Sequence, residues 1–227
     1  MLIHTNYTVS KDVIQQSIDN IQSNDFRVTI NQPTGDFFYD PWVIKPQYRD
    51  TPWEILYDSL EVDNKGEARI IHLHGGTCYS SHADIDDRYH LNLSGNKCYL
   101  IDLDNQKMHL LSADGRWYNM DAGRRHAAAN FGNRPRYQLV VRQLMTASKT
   151  ASVPIEIIST IDKEDARFLF DDHVSPWLNR ANKQGIIDDF NFDNLNNSLS
   201  FKIDQEFLQE LYSIIPQGLV LNEKVCG

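Results

Sequence analysis

Residues 88–93 read Arg-Tyr-His-Leu-Asn-Leu, and residues 136–142 read Arg-Tyr-Gln-Leu-Val-Val-Arg. Polar and apolar residues alternate in the first stretch as in a half-buried β-strand, and the second is rich in strand-forming residues. Across residues 67–145, short stretches of this kind are separated by turn signals such as Ser94-Gly95-Asn96 and Asp114-Gly115. Turns at such close intervals are typical of an antiparallel sandwich or barrel rather than of βαβ units. The sequence therefore predicts a mainly β fold, with a double-stranded β-helix (a cupin-like jelly roll) as the favoured architecture.

Helical patterns precede this β-rich region. Ser10 can cap a helix over about 11–23, whose apolar residues form one stripe. Residues 26–30 predict a strand. Thr51-Pro52-Trp53-Glu54 is a capping box with proline at the first helical position, and it predicts a short helix to about Leu60. We expect these helices to flank the jelly roll.

The character of the sequence changes after residue 150. Asp162 and Asp204 can each cap a helix, and the Asn-rich stretch 191–197 between those helices predicts a loop. We therefore expect two parts. A jelly-roll domain with its N-terminal helices covers residues 1–150, and a helical C-terminal extension covers residues 151–227.

Composition excludes several classes of partner. The chain has 227 residues and a net charge of −9, which disfavours a nucleic-acid backbone or an anionic membrane surface as partner. Its 3 cysteines are odd in number and lack metal-type spacing, so a reducing compartment is favoured over a disulfide framework. The first residues lack the features of a signal peptide, and no apolar run approaches the roughly 20 residues that span a bilayer. We expect a cytoplasmic protein that binds neither nucleic acid nor membrane.

Two short clusters carry residues suited to metal chemistry: Ser81-His82-Ala83-Asp84, and Arg125-His126 followed by Arg136. On a strand, residues i and i+2 point to the same side, so His82 and Asp84 can bind one ion while Ala83 turns away. A strand that is distant in sequence but adjacent in the sheet can supply His126. Two imidazoles and one carboxylate on one face of Fe(II) leave positions open for a cosubstrate and O₂.

A His-x-Asp triplet alone is close to chance in a chain with 8 histidines and 31 acidic residues. The neighbouring residues add weight to it. Arg88 and His90 share one face of a predicted strand. Arg136 is the first residue of another predicted strand, and its guanidinium can donate two parallel hydrogen bonds to one carboxylate. A dicarboxylate held by a metal at one end and by a buried arginine at the other needs this arrangement.

Residues 71–145 resemble the aspartyl/asparaginyl β-hydroxylase family, which includes bacterial proline cis-hydroxylases. His74-Gly75-Gly76-Thr77 resembles the turn that precedes the first metal ligand in that family. Arg88-Tyr89-His90-Leu91 resembles the Arg-x-His-Leu segment, and residues 126–136 resemble the His-x₃-Asn-x₅-Arg signature.

The resemblance implies a dioxygenase that depends on Fe(II) and 2-oxoglutarate. It would hydroxylate an unactivated C–H bond of an amino acid or an amino-acid side chain, using O₂ and releasing succinate and CO₂. The metal ligands would be His82, Asp84 and His126, and the residues that bind 2-oxoglutarate would be Arg136, Arg88 and His90. A small, amino-acid-like substrate is favoured over a peptide or protein, because the chain lacks an added repeat domain to present one.

At two positions this chain has a different residue from some members of the family. Vertebrate-type members lack the carboxylate found here at Asp84, so the chain resembles the bacterial amino-acid hydroxylases more closely. The presence of Asp84 also favours hydroxylation over halogenation, since related halogenases have a small residue there. A serine that helps to bind the distal carboxylate in some members would fall near Ile71, whose side chain cannot form a hydrogen bond. Either another hydroxyl binds that carboxylate or none does.

Other residues offer alternative metal ligands. His72 and His74 share a strand face and, with His82, could form a zinc site, although no fourth ligand has zinc-type spacing. His90 could be a fourth ligand to the iron.

Charged residues near the proposed ligands, and the class of function itself, also allow more than one interpretation. Asp86-Asp87 could replace Asp84 as the ligand or form a solvated turn. Arg124-Arg125 could meet an acidic substrate group or lie on the surface. The whole set could also belong to a non-catalytic, cupin-like metal-binding or sensory protein, but such a protein has no need of Arg136.

Overall fold

The computed structural model describes residues 2–21, 25–193 and 195–223. By their contacts these residues form two compact units. The first contains the residues up to Ser81 together with Asp87–Leu144, and the second contains His82–Asp86 together with the residues from Met145 onward. No described helix is both long and apolar enough to cross a membrane.

The first unit consists mainly of strands. In chain order its elements are β1 (Leu2–Thr8), α1 (Lys11–Asp19), β2 (Arg27–Thr29), β3 (Asn31–Pro33), β4 (Trp42–Ile44), a 3₁₀ turn (Pro46–Tyr48), α2 (Pro52–Asp58), β5 (Lys65–Leu73), β6 (Thr77–Cys78), β7 (Arg88–Asn92), β8 (Cys98–Asp102), β9 (Lys107–Leu110), β10 (Arg116–Met120), β11 (His126–Asn130) and β12 (Arg136–Gln143).

These strands form two main antiparallel sheets. The first has the order β1-β10-β7-β12-β5-β2, and the second has the order β6-β11-β8-β9. Strands that are neighbours in space are mostly distant in sequence, as in a jelly roll. The predicted mainly β, jelly-roll fold is therefore confirmed.

The two faces of the six-stranded sheet differ in chemistry. One face is apolar: Leu91, Trp117 and Leu139 pack in a core that includes residues of α1 and α2. The other face, which we call the polar face, carries the alternate residues of β5, β7 and β12. At its edge Met120 packs with Leu100 of the four-stranded sheet, so the polar face looks into the sandwich.

The predicted N-terminal helices are present with their caps. The Ser10 hydroxyl accepts a hydrogen bond from the N–H of Val13 at the start of α1, and the Thr51 hydroxyl accepts one from the N–H of Trp53 at the start of α2. α1 ends at Asp19, and residues 22–23 of the predicted helix lie outside the described residues.

The second unit combines helices with a sheet. Its elements are β13 (Val153–Ser159), α3 (Lys163–Leu169), a π-helical turn (Phe170–Val174), α4 (Ser175–Gln184), β14 (Ile187–Asp193), β15 (Ser198–Ile203), a 3₁₀ turn (Gln205–Phe207), α5 (Leu208–Ile214) and β16 (Leu219–Glu223). The strands form one antiparallel sheet in the order β14-β15-β13-β16.

The C-terminal part is thus not only helical. The alternation of buried Ile155 and Ile157 in β13 is a strand signal, and its partners β15 and β16 are remote in sequence. The loop predicted over 191–197 begins as strand β14.

The two predicted caps differ in outcome. Asp162 accepts hydrogen bonds from two backbone N–H groups and caps α3 as predicted. The cap at Asp204 is wrong, because its carboxylate accepts hydrogen bonds from the hydroxyls of Ser148 and Thr150 instead.

Candidate metal centre

Three of the predicted residues come together. The side chains of His82, Asp84 and His126 each offer one ligand atom, and these atoms all lie within 4.8 Å of one another. Among the described residues this is the one group of three or more such side chains close enough to share a metal ion. Two imidazoles and one carboxylate form a donor set suited to non-haem iron.

His126 is held in an orientation suited to metal binding. It opens β11 and is 5 % exposed. Its Nδ1 lies 2.8 Å from the carbonyl oxygen of Arg124, which can only accept a hydrogen bond, so Nδ1 carries the proton. Nε2 is then left with its lone pair. Fixing the tautomer through the other ring nitrogen is a common feature of histidine ligands to metals.

His82 and Asp84 lie in an irregular segment. The predicted regular strand is absent: His82 forms an isolated bridge, and Asp84 has no strand conformation. Ala83 between them is 5 % exposed, and its carbonyl oxygen accepts a hydrogen bond of 2.9 Å from the Ser175 hydroxyl at the start of α4. Burial of Ala83 and this hydrogen bond, rather than a strand ladder, fix the segment.

Asp171 is a neighbour of this segment that no pattern in the sequence indicates. Its pKa is raised to about 6, chiefly by burial and also by Asp84, and the charges of Arg167 and His82 oppose this rise. Its place in the π-helical turn Phe170–Val174 carries no sequence signal, because a π turn has no distinct composition.

Arg136 occupies the polar face at the start of β12. It is 1 % exposed, and its Nη2 donates a hydrogen bond of 2.8 Å to Oε1 of Gln138. Burial lowers its pKa, and the nearby Tyr79 and Cys98 raise it. Among the described residues, Nε and Nη1 of Arg136 find no hydrogen-bond partner.

Gly95 allows the chain to pass close to this arginine. Its φ is +108°, in the region that favours glycine, and an added Cβ would lie 2.6 Å from Sγ of Cys98 and 3.3 Å from Cβ of Arg136.

Several other buried polar atoms on the polar face lack partners among the described residues. They are Nε of Arg69, Nε2 of His90, Oδ1 of Asn92 and Nε2 of Gln138. An unsatisfied buried donor or acceptor costs about 1–3 kcal/mol, so a run of them is unusual in a structural core. A polar ligand with several oxygens would satisfy them.

His90 stands directly opposite Val140 on β12 in the middle of the polar face. Its pKa is lowered to about 3, chiefly by burial and then by the positive charges of Arg136 and Arg88. His90 is therefore a neutral imidazole near pH 7, able to make hydrogen bonds without adding charge.

The alternative metal ligands are not brought into the group. His72 lies on the apolar face, where its ring stacks on Tyr137 with centroids 4.8 Å apart. His74 packs against His72, and neither joins the three ligand atoms. The Asp87 carboxylate accepts a hydrogen bond from the N–H of Ala122 instead.

Two basic residues predicted near the metal ligands differ in burial. Arg88 opens β7 on the polar face, half-buried and directly opposite Arg142. Arg124 is exposed and pairs with Asp121 at 2.9 Å, which is the surface alternative.

The sequence matches no protein-family model and no curated protein. Among solved structures, it is similar to a Pseudomonas putida prolyl-4-hydroxylase, with 12% identity and a TM-score of 0.39, over 63% of this chain and 92% of that chain. It is also similar to CapF, solved with the inhibitor 3-isopropenyl-tropolone, with 11% identity and a TM-score of 0.31 over 51% of this chain. That alignment spans 31% of the CapF chain. Both similarities are distant, and membership of the aspartyl/asparaginyl β-hydroxylase family stays a prediction.

Proposed function

We propose that the chain is an Fe(II)- and 2-oxoglutarate-dependent dioxygenase that hydroxylates an amino acid or an amino-acid side chain. The observation that carries the proposal is Arg136. A buried guanidinium whose Nε and Nη1 find no hydrogen-bond partner among the described residues calls for an anionic ligand, and one carboxylate of 2-oxoglutarate would supply it.

His82, Asp84 and His126 would hold the iron. The donor set fits ferrous iron, since it has two imidazoles and one carboxylate, and the proton on Nδ1 of His126 leaves Nε2 available. The presence of Asp84 favours hydroxylation, because a carboxylate there leaves no room for a halide ligand.

The polar face would hold 2-oxoglutarate. Arg136 would bind its distal carboxylate, with Arg88 and His90 nearer the metal. Tyr79 lies close enough to raise the pKa of Arg136, so its hydroxyl is a candidate for the one that the resemblance expects near Ile71. Gln138 orients the guanidinium through its own hydrogen bond.

Iron with bound 2-oxoglutarate supplies the oxidising power needed to hydroxylate an unactivated C–H bond, with succinate and CO₂ as coproducts. The protein supplies binding, orientation and a dry interior. Its buried arginine and neutral histidine position a dianion without bulk water, and charge-assisted hydrogen bonds are strong in such surroundings.

The test is an anaerobic titration of the protein with Fe(II) and 2-oxoglutarate, followed by the visible charge-transfer absorption of the chelate. We expect the wild-type protein to develop this band. Arg136→Gln should raise the Kd for 2-oxoglutarate about 10- to 150-fold, because a charge-assisted hydrogen bond contributes about 1.5–3 kcal/mol. Affinity for Fe(II) alone should change little.

The exposed Arg116, which pairs with Asp114, provides the matched control. Arg116→Gln should titrate like the wild type. A protein that binds Fe(II) but gives no band with 2-oxoglutarate would instead be the non-catalytic metal binder.

A further inference from the structure

The four-stranded sheet β6-β11-β8-β9 has an apolar face on the side away from the interior of the sandwich, which we call the outer face. Residues in register on neighbouring strands point to the same side of a sheet. Two rows in register make up the outer face: Cys78, Ala129, Tyr99 and Leu110 in one, and Ala127, Ile101 and Met108 in the other. None of these side chains carries a charge.

The apolar side chains of β9 point away from the interior. Met108 is 54 % exposed and Leu110 is 55 % exposed. His109 between them stands opposite Leu100, which packs on the inner face of the sheet. An antiparallel sheet with one solvated face normally has its polar residues on that face, so β9 shows the reverse pattern.

The sheet of the second unit shows the usual pattern. Ile155 and Ile157 of β13 are buried on one face, whereas on the other Glu156 stands in register with Ser200 and Asn222. Single exposed apolar residues are normal on a protein surface, but a continuous apolar patch marks an interaction site. The outer face of the four-stranded sheet is such a patch, and we therefore expect a partner to cover it.

The outer face has a ridge and a trough. The ridge consists of the large side chains on β8 and β9: Tyr99, Ile101, Met108 and Leu110. The trough consists of the small side chains on β6 and β11: Cys78, Ala127 and Ala129. A two-fold axis that runs along the strands between β11 and β8 reverses the order of the strands in a second copy. The ridge of each copy then lies over the trough of the other, as an isologous contact requires.

The size of the outer face also fits a pair of copies. Four strands are about 19 Å wide, and five residues along them extend about 17 Å. Two such faces, packed as aligned sheets, would bury about 1,000–1,200 Å², which is the lower bound for a specific protein–protein interface. Exposed charged residues lie beyond both ends of the face, Lys97 and Arg134 at one end and Asp104 and Lys107 at the other, and would form a polar rim.

We propose that the outer face is the interface of a homodimer, in which the ridge of each copy packs into the trough of the other. A second copy is the occupant because a face without charged side chains offers little to an acidic or basic partner, whereas its shape complements itself. The inference goes beyond the proposed function and does not depend on it, since no metal ligand or cosubstrate residue takes part.

Sedimentation of the ligand-free protein between about 1 and 100 µM tests the proposal. We expect a monomer–dimer equilibrium within this range, as for an interface of modest size. Leu110→Lys and Met108→Lys should each raise the Kd of the dimer at least about 100-fold, because each would bury an unpaired ammonium group against apolar side chains. Val220→Lys is the matched control, since Val220 is an exposed apolar residue of β16, and it should dimerise like the wild type.

A substitution in the trough separates a fitted interface from unspecific association. Ala127→Phe enlarges the apolar surface, so it would strengthen unspecific association. It also fills the space that the ridge of the other copy needs, and we therefore expect it to raise the Kd of the dimer at least about tenfold. Each variant changes a side chain on the outside of the sheet, so its melting temperature should stay close to that of the wild type.

Chemical cross-linking tests the arrangement of the two copies. With the two-fold axis in this place, exposed Cys78 on β6 of one copy faces Leu110 on β9 of the other. Leu110→Cys treated with a short bismaleimide should give far more covalent dimer on a denaturing gel than the wild type. The double variant Leu110→Cys, Cys78→Ser should lose this excess.

Four results would overturn the inference. The wild type stays monomeric up to about 100 µM or forms species larger than a dimer; both lysine variants dimerise as the wild type does; Ala127→Phe tightens the dimer; or the cross-link does not depend on Cys78. If the lysine variants lose their fold, which a large drop in melting temperature would show, the wild-type equilibrium and the cross-link still decide.

Discussion

At the scale of single residues, His90 shows that burial on the polar face disfavours the charged form of a side chain. Its pKa falls to about 3 from the ordinary 6.5, chiefly through burial. The folded state therefore stays neutral at His90 over a range in which the unfolded chain takes up a proton. Since the unfolded state binds more protons, stability falls as the pH drops from about 6.5 towards 3.

We predict that His90→Gln flattens this dependence in the metal-free protein. At pH 4 the wild-type histidine should cost roughly 3 kcal/mol relative to pH 7, and the neutral glutamine removes that cost. Urea unfolding at the two pH values measures it. Exposed His4→Gln is the control and should follow the wild type. An equal loss of stability with acid in His90→Gln and wild type would contradict the environment described for His90.

Much of the candidate site could be predicted residue by residue. The spacing of His82, Asp84 and His126, together with Arg136, is a local pattern with a chemical reason, and the three proposed ligands do lie together. Gln138 and Tyr79 could not be assigned to the site from the sequence, because their relevance comes from their contacts with Arg136. Nothing in the sequence around Tyr79 shows that it approaches a strand more than fifty residues away.

At the scale of elements, Asn130 of β11 forms hydrogen bonds with the end of β5 and with the turn before β12. It is fully buried, and its Nδ2 donates hydrogen bonds to the carbonyl oxygens of Leu73 and Arg134, at 3.1 and 2.8 Å. Its Oδ1 accepts one from the N–H of Gly132. The end of β5 and the turn before Arg136 are thus fixed by a single side chain.

Asn130→Ala should destabilise the protein by about 2–4 kcal/mol, because it leaves several buried backbone groups without partners. It should also weaken 2-oxoglutarate binding, since the turn that leads into Arg136 loosens. Urea unfolding and the charge-transfer titration measure the two effects, with exposed Asn222→Ala as the control. A variant that is as stable as the wild type would refute the role given to Asn130.

The elements themselves were partly predictable. Caps at Ser10, Thr51 and Asp162 are local hydrogen bonds between near neighbours in sequence, and all three form. Asp204 looked the same in sequence, but the hydroxyl of Ser148 competes for its carboxylate. The sheet that contains β13 was missed because its strands are interleaved with helical patterns.

At the scale of the whole molecule, the fold class could be predicted from the frequency of turns. The surroundings of each face of the six-stranded sheet could not. The alternation in residues 136–142 shows that two faces exist. Which face meets α1 and α2, and which one looks into the sandwich, depends on strand pairing over long stretches of chain. The set of buried polar side chains that share one face of the sheet therefore became visible only in the structure.

Ligand binding should stabilise the whole fold by mass action. With Mn(II) bound, 2-oxoglutarate at about 100 times its Kd should add about 2.7 kcal/mol, which corresponds to a rise in melting temperature of about 5–11 °C. In Arg136→Gln the rise caused by Mn(II) should remain, while the further rise caused by 2-oxoglutarate should largely disappear. A full rise in this variant would place the cosubstrate elsewhere.

The proposed function requires that His82, Asp84, His126 and Arg136 together support oxidation driven by 2-oxoglutarate. It is tested most directly by measuring succinate formed from 2-oxoglutarate by the iron-loaded protein in air, beside the variants Asp84→Ala and His126→Ala and an exposed-acid control, Asp63→Ala. We expect the wild type and Asp63→Ala to form succinate as O₂ is consumed, and the two ligand variants to form none above protein-free iron. Full succinate formation by either ligand variant, or none by the wild type, would contradict it.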